Sequence, residues 1–139
     1  MTIKQLNPYL MFSGTATQAV RFYESALGAK TEVFTRFGDI PNSTALPENK
    51  DRVIHALLRI GEGIVMISDD MPGHPVAKEG NVHVCVDFDD VTDMKKKFEA
   101  LSAGGKVTMA PHDTFWGATF GTLVDQFGVQ WMFNCNKAK

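Results

Sequence analysis

Apolar and polar positions alternate with a period of two through "VHVCVDF" (residues 82–88), "VIHALLRI" (53–60) and "VQWMFN" (129–134). That period belongs to strands with one buried face. Two other stretches read as helices, "FYESALGAK" from Phe22 and "FEALSAGGK" from Phe98. Each ends at a glycine, Gly28 and Gly104, where a positive φ closes a helix at little steric cost. Phe98 lies 76 positions after Phe22, and at the same spacing "VHVCVDF" falls on "LNPYLMF" (6–12). A strand followed by a helix therefore occurs twice, and the unit is duplicated.

After each helix the text turns strand-like again. In the first half "KTEVFTRF" leads through a polar stretch, "GDIPNSTALPENKD", to "VIHALLRI", a "GE" turn and "GIVMIS". The second half runs "GKVTMAPHDTFWGATFGTLVDQFGVQWMFN", with "DQFG" as its turn. Each half reads β-α-β-β-β. Placing Gly63 over Gly128 gives a spacing of 65 for the last two strands of each half. The expected architecture is α+β in a single domain, residues 1–139, with module one about 1–70, a linker at 71–80 ("MPGHPVAKEG") and module two about 81–139. One helix on one side of a four-stranded sheet leaves the other face uncovered. Two such faces brought together would enclose a cavity.

The paired β-α-β-β-β units resemble the vicinal oxygen chelate superfamily of glyoxalase I, extradiol dioxygenases, and fosfomycin and bleomycin resistance proteins. More narrowly, "PYLMFSGTATQAVRFYESALGAK", "HALLRIGEGIVMISDD", "GGKVTM" and "TFWGATFGTLVDQFGVQWMFN" resemble its PhnB-like branch, the 3-demethylubiquinone methyltransferase-like domain. The resemblance spans about residues 6–134. It implies two modules forming a curved sheet around a cavity, and a scaffold that hosts lyases, dioxygenases, thiol transferases and plain binding proteins.

The superfamily's enzymes hold a divalent metal with four side chains, one from the first and one from the last strand of each module. His83 matches the second-module histidine ligand, and its partner 76 positions earlier is Asn7. Met132 stands where those enzymes carry a glutamate, and its partner 65 positions earlier is Ile67. His83 is thus the only matching slot, and no metal or other cofactor is expected, because a stable divalent site needs three or more N, O or S donors. A metal would have to draw on other donors, such as His55 with Cys85. A Cys–His pair of this kind could also be a thiolate and its base, but no third orienting group is evident. The catalytic residues stay unassigned.

Alternation assigns the cavity wall. In "VHVCVDF" the row Val82, Val84, Val86, Phe88 suits packing on a helix, which leaves His83 and Cys85 on the other face. His55, Leu57 and Arg59 oppose the helix-facing Ala56, Leu58 and Ile60, while Val129, Trp131 and Phe133 face the second helix. Phe120 aligns with His55, and Trp116 stands at the mouth of its strand. The expected ligand-binding residues are Tyr9, Met11, His55, Leu57, Ile67, His83, Cys85, Trp116, Phe120, Gln130, Met132 and Asn134. They form an aromatic, apolar wall with a few polar points, suited to a small, flat or partly apolar molecule. His74 and His112 fall in Pro-containing stretches read as solvated loops.

Charge and composition remove partners. A formal charge of −2 and a pI near 6.0 leave no electrostatic footprint for nucleic acid, and the run Lys95-Lys96-Lys97 reads as a solvated helix face. No apolar run reaches membrane-spanning length, and "MTIKQLNPYL" lacks the layout of a signal peptide. Two lone thiols, Cys85 and Cys135, suit a reducing compartment, so a cytoplasmic location is expected. Exposed strand edges point to a homodimer. Three readings follow in order: a small-molecule binding protein, a metal-dependent lyase, isomerase or dioxygenase, and a structural or interaction dimer.

Overall fold

The computed structural model describes residues 5–41, 46–70 and 82–137. The linker read at 71–80, with His74, lies outside them. The chain divides into two compact units, Met1–Val76 and Ala77–Lys139. In the first, β1 (Tyr9–Phe12), α1 (Ala16–Leu27), β2 (Lys30–Arg36), β3 (Val53–Ile60) and β4 (Gly63–Asp69) make a four-stranded sheet of order β1-β4-β3-β2. β1 runs parallel to β4, and the other pairs are antiparallel. In the second, β5 (Val84–Phe88), α2 (Val91–Ser102), β6 (Lys106–Asp113), β7 (Ala118–Val124) and β8 (Gln130–Asn136) repeat the pattern in the order β5-β8-β7-β6. The fold is α+β and the β-α-β-β-β order holds in both units.

Each helix covers one face of its own sheet. α1 buries Ala16, Ala19, Val20, Tyr23, Ala26 and Leu27, the i, i+3, i+4, i+7 stripe of an amphipathic helix. It packs on β3 and β4, whose Ala56, Leu58, Val65 and Ile67 are wholly or almost wholly buried. α2 buries Met94, Phe98 and Leu101. Beneath it lie Leu123, Trp131 and Phe133, and Phe98 meets Phe133 edge-on at 5.5 Å between ring centroids. Each such side chain contributes about 1.5 to 3 kcal/mol by leaving water. On the far side of α2, Lys95 and Lys96 are exposed and Lys97 pairs with Asp93 at 2.6 Å.

Helix and strand ends depart slightly from the expectations. α1 closes at Gly28, φ +71°. α2 closes one residue earlier than its glycine, at extended Ala103, with Gly104 at φ +75° behind it. β6 runs through Pro111 to Asp113 where a loop was expected. It is an edge strand, and between Met109↔Thr122 and His112↔Phe120 its two residues Ala110 and Pro111 face the single residue Gly121, a bulge of one extra residue. An edge bulge tolerates a proline that a central strand would not. Gly121 is required there, since a Cβ would stand 3.0 Å from Phe98 Cε2 and 3.1 Å from the Pro111 nitrogen.

The turn between β7 and β8 is one residue longer than its counterpart. Five residues separate the paired Val124 and Gln130, whereas four separate Arg59 and Ile64. Buried Asp125 holds the longer turn, its Oδ1 accepting from the Phe127 and Val129 amides at 2.9 and 3.0 Å and its Oδ2 from Trp131 Nε1 at 2.9 Å. The spacing between repeats is therefore 65 in β3 and β7 but 66 in β4 and β8. The counterpart of Met132 is Met66, not Ile67. Met132 faces Cys85 and Thr122 across the ladder as Met66 faces Tyr9 and Leu57. Ile67 pairs with Ala56, is 0% exposed and belongs to the core under α1, because a one-residue slip reverses the face of every side chain.

Candidate functional site

The helix-free face of each sheet carries the chemistry. In the first unit Tyr9, Met11, His55, Leu57 and Met66 share it. Tyr9 Oη lies 3.1 Å from His55 Nδ1, with the rings tilted at 44°. The two residues come from strands β1 and β3, which flank β4, so this pairing exists only in the folded sheet. Ser68 Oγ donates to Met11 Sδ at 3.2 Å. Farther along β3, Arg59 bridges to Glu32 at 2.9 Å.

In the second unit the face is aromatic at one end and polar at the other. Trp116 meets Phe120 at 5.6 Å and 71°, Phe115 meets Trp116 at 5.1 Å and 89°, and His112 meets Phe120 at 6.5 Å and 88°. These edge-to-face geometries are the favoured ones for aromatic pairs. Trp116 is half exposed and Phe115 is 98% exposed in the turn before β7. Toward β8, Asn134 Nδ2 donates to Asp87 Oδ1 at 3.2 Å, and Gln130 Nε2 donates to the Val82 carbonyl at 3.1 Å. The Thr108 and Thr122 hydroxyls share a hydrogen bond at 2.6 Å.

Among the positions named from the sequence, Ile67 is the strand residue that stands on the helix side. His83 and Asn7 precede their strands: His83 is exposed, and Asn7 Oδ1 accepts from Gln5 Nε2 at 2.7 Å. Met66 and His112 also stand on these faces and were missed, as were Ser68 and Asp87. Counting the residues in the two turns would have found the first, whereas nothing local marks Pro111 as an edge-strand bulge that carries His112 on to Phe120.

Nucleophilic chemistry finds little support here. Partial burial, and then the Asp87 carboxylate, pushes the Cys85 thiol above its ordinary range. A thiol so held stays protonated at neutral pH and is a weak nucleophile. Cys135, in the core, is pushed up by burial first and then by Asp90 and Asp89. The divalent metal of the superfamily's enzymes does not fit the inherited positions either. With Met66 in place of Ile67 these supply one carboxamide, one imidazole and two thioethers, where Zn²⁺, Ni²⁺ or Mn²⁺ call for several imidazole or carboxylate donors. Among the described residues no three His, Cys, Asp or Glu side chains gather as a metal site would need.

Comparison with known proteins agrees with this layout. The sequence model of the Glyoxalase/Bleomycin resistance protein/Dioxygenase superfamily matches residues 5–133. Protein YjdN of Escherichia coli K12 is 35% identical over 95% of both chains, and the uncharacterised Mycobacterium bovis protein Mb0911c is 35% identical over 91% of this chain and 79% of its own. Among solved structures, protein PA1353 from Pseudomonas aeruginosa superposes with a TM-score of 0.86 at 35% identity, covering 98% of this chain and all of its own. A PhnB protein from Bacillus cereus, 22% identical, shares the fold with a TM-score of 0.79 over 95% of this chain and 99% of its own.

Proposed function

We propose that this chain, which belongs to the Glyoxalase/Bleomycin resistance protein/Dioxygenase superfamily, is a small-molecule binding protein of PhnB-like type that seats its ligand on a helix-free sheet face and holds no divalent metal. The observation that carries this reading is the Trp116–Phe120–His112 group. Its rings stand on the face away from α2, outside the core that Phe98, Trp131 and Phe133 already fill. Large apolar side chains left in contact with water mark interaction sites. On the same sheet Gln130 and Asn134 add polar points of the kind by which such sites orient a ligand, and the first unit's own face carries the Tyr9–His55 pair. The donor set at the inherited positions disfavours the metal-dependent lyase, isomerase and dioxygenase readings, and the raised thiol disfavours a cysteine enzyme.

The same reading has a cytoplasmic homodimer as its assembly. Edge strand β6 leaves Val107 44% and Met109 47% exposed, an apolar edge that a second copy would cover. The free thiols suit a reducing compartment.

Titration of a panel of aromatic and amphipathic small molecules tests the binding role. Trp131 is wholly buried, so a change in tryptophan emission on titration, absent in Trp116→Phe, reports the exposed ring. A bound ligand also raises the melting temperature. No emission change together with no rise in melting temperature across the panel would end the proposal.

A further inference from the structure

We infer that Tyr9 and His55 form a preset hydrogen-bonding head on the first unit's sheet, and that the ligand presents a neutral acceptor, a carbonyl oxygen or a ring nitrogen, to His55 Nε2. This rests on the binding reading and names the chemistry of its ligand. Tyr9 Oη and His55 Nδ1 are 3.1 Å apart, so one of them donates. The phenol O–H is a better donor than the N–H of a neutral imidazole, and the bare imidazole nitrogen is a much better acceptor than a phenol oxygen. The favoured pairing puts the shared proton on Tyr9 and leaves the ring proton of His55 on Nε2. The hydrogen bond made by one ring nitrogen thus settles the role of the other. No hydrogen bond to Nε2 is found among the described residues, so this N–H is left for a ligand.

The surroundings choose a neutral acceptor over an anion. Around the pair stand Met11, Leu57 and Met66, with Thr35 directly across the ladder from His55. On this face the charged side chains gather at the other end of β3, where Arg59 lies opposite Lys30 and is bridged to Glu32. Four residues of strand, about 13 Å, separate that group from His55. Nearer His55, Arg36 lies over the Phe34 ring at 4.7 Å and Asp69 is held by the Gly14, Ala16 and Val53 amides, both toward the helix side. A flat molecule can lie over the apolar side chains and reach Nε2–H with one acceptor atom.

The test is imidazole ¹⁵N NMR on the full chain at pH 7.5, with His55→Gln to assign the signal. The expected result is the Nε2–H tautomer in the wild type and a tautomer mixture in Tyr9→Phe. Quinoline, which offers a ring nitrogen acceptor, should shift the Nε2 signal, whereas indole, of similar shape but offering an N–H donor, should not. His55→Phe, which removes the Nε2–H donor, should weaken quinoline about 5-fold or more, the worth of an ordinary hydrogen bond, and leave indole unchanged. An Nδ1–H tautomer in the wild type overturns the inference, as does an equal Nε2 shift with both probes. If quinoline quenches Trp116 without moving His55, the inference falls and the binding reading stands. If neither probe moves either residue, the inference falls, and the binding reading falls with it when the wider panel is silent in emission and melting temperature as well.

Discussion

Asp69 Oδ1 accepts the backbone amide of Ala16 at 2.9 Å, so a carboxylate at the end of β4 caps a helix that begins 53 positions earlier in the chain. The same oxygen accepts from Gly14 at 2.8 Å, and Oδ2 accepts from the Val53 amide at 3.0 Å. Thr15, which holds the N-cap position of α1, makes no side-chain cap of its own. In the second unit the arrangement is inverted. The counterpart of Gly14 is Asp90, which caps α2 locally by accepting from the Asp93 amide at 3.1 Å. The counterpart of Asp69 is Cys135, opposite Phe88 as Asp69 is opposite Phe12. Each repeat keeps one carboxylate for its helix, at a different place in the unit.

This makes the two caps unequal under mutation. Asp69→Ala leaves three backbone amides without their acceptor next to the core and should cost about 2 to 4 kcal/mol. Asp90→Ala removes one exposed cap and should cost about 0.5 to 2 kcal/mol. Chemical denaturation of both variants gives the comparison. Equal costs would mean that water or a neighbour takes over at Gly14 and Ala16.

How far such features could be read from sequence depends on how far apart in the chain their partners lie. β3 begins and ends where the alternation of "VIHALLRI" does, because both helix-side burial and turn residues are local signals. The duplication located the second unit's elements from the first. Ile67 was misplaced because two glycines in turns of unequal length were set over each other, and one residue is enough to turn a strand over. Asp69 reads as the last residue of a strand, with nothing nearby to reveal its three amide partners. Tyr9 and His55 were each placed on the correct face from alternation, but their hydrogen bond depends on β1 and β3 both flanking β4, an ordering that strand periodicity does not encode.

The two thiols offer a test of burial and charge. Cys85 is accessible but pushed up, first by partial burial and then by Asp87, and Cys135 is closed off in the core. In the folded protein one cysteine should alkylate with iodoacetamide, more slowly at pH 7 than a free cysteine, and the second only after denaturation. Asp87→Asn should speed Cys85 alkylation at pH 7 to 8, since removing the carboxylate lowers the thiol pKa. For stability the sign is fixed by the raised folded-state values: the contribution is full below the unfolded thiol pKa, about 8.5, and is lost as pH climbs from there through the higher folded-state values. A flat stability profile from pH 8 to 10 would contradict the direction of both shifts.

The proposed dimer can be checked by sedimentation. A single species at twice the 15.3 kDa chain mass at micromolar concentration is expected. Placing a charge on the exposed apolar edge of β6, as in Met109→Lys, should weaken association about tenfold or more while leaving the far-ultraviolet circular dichroism unchanged. A monomer in the wild type at that concentration would remove the dimer from the proposal.

Phe120 and Phe133 lie on opposite faces of neighbouring strands, and this separates binding from packing. Phe133 is 0% exposed, touching Phe88 at 5.0 Å and Phe98 at 5.5 Å between ring centroids, so Phe133→Ala should cost about 3 to 5 kcal/mol of stability. Phe120 is half-buried on the helix-free face, in contact with Trp116 and His112. Truncating it opens no void under α2, so Phe120→Ala should cost less than about 1.5 kcal/mol of stability and weaken ligand binding by about 1 to 3 kcal/mol. Urea denaturation and Trp116 fluorescence titration on the two variants supply both numbers. If Phe120→Ala proves as destabilising as Phe133→Ala, and no ligand raises the melting temperature of the wild type, then the exposed-face aromatics fill a closed core and the binding function is wrong.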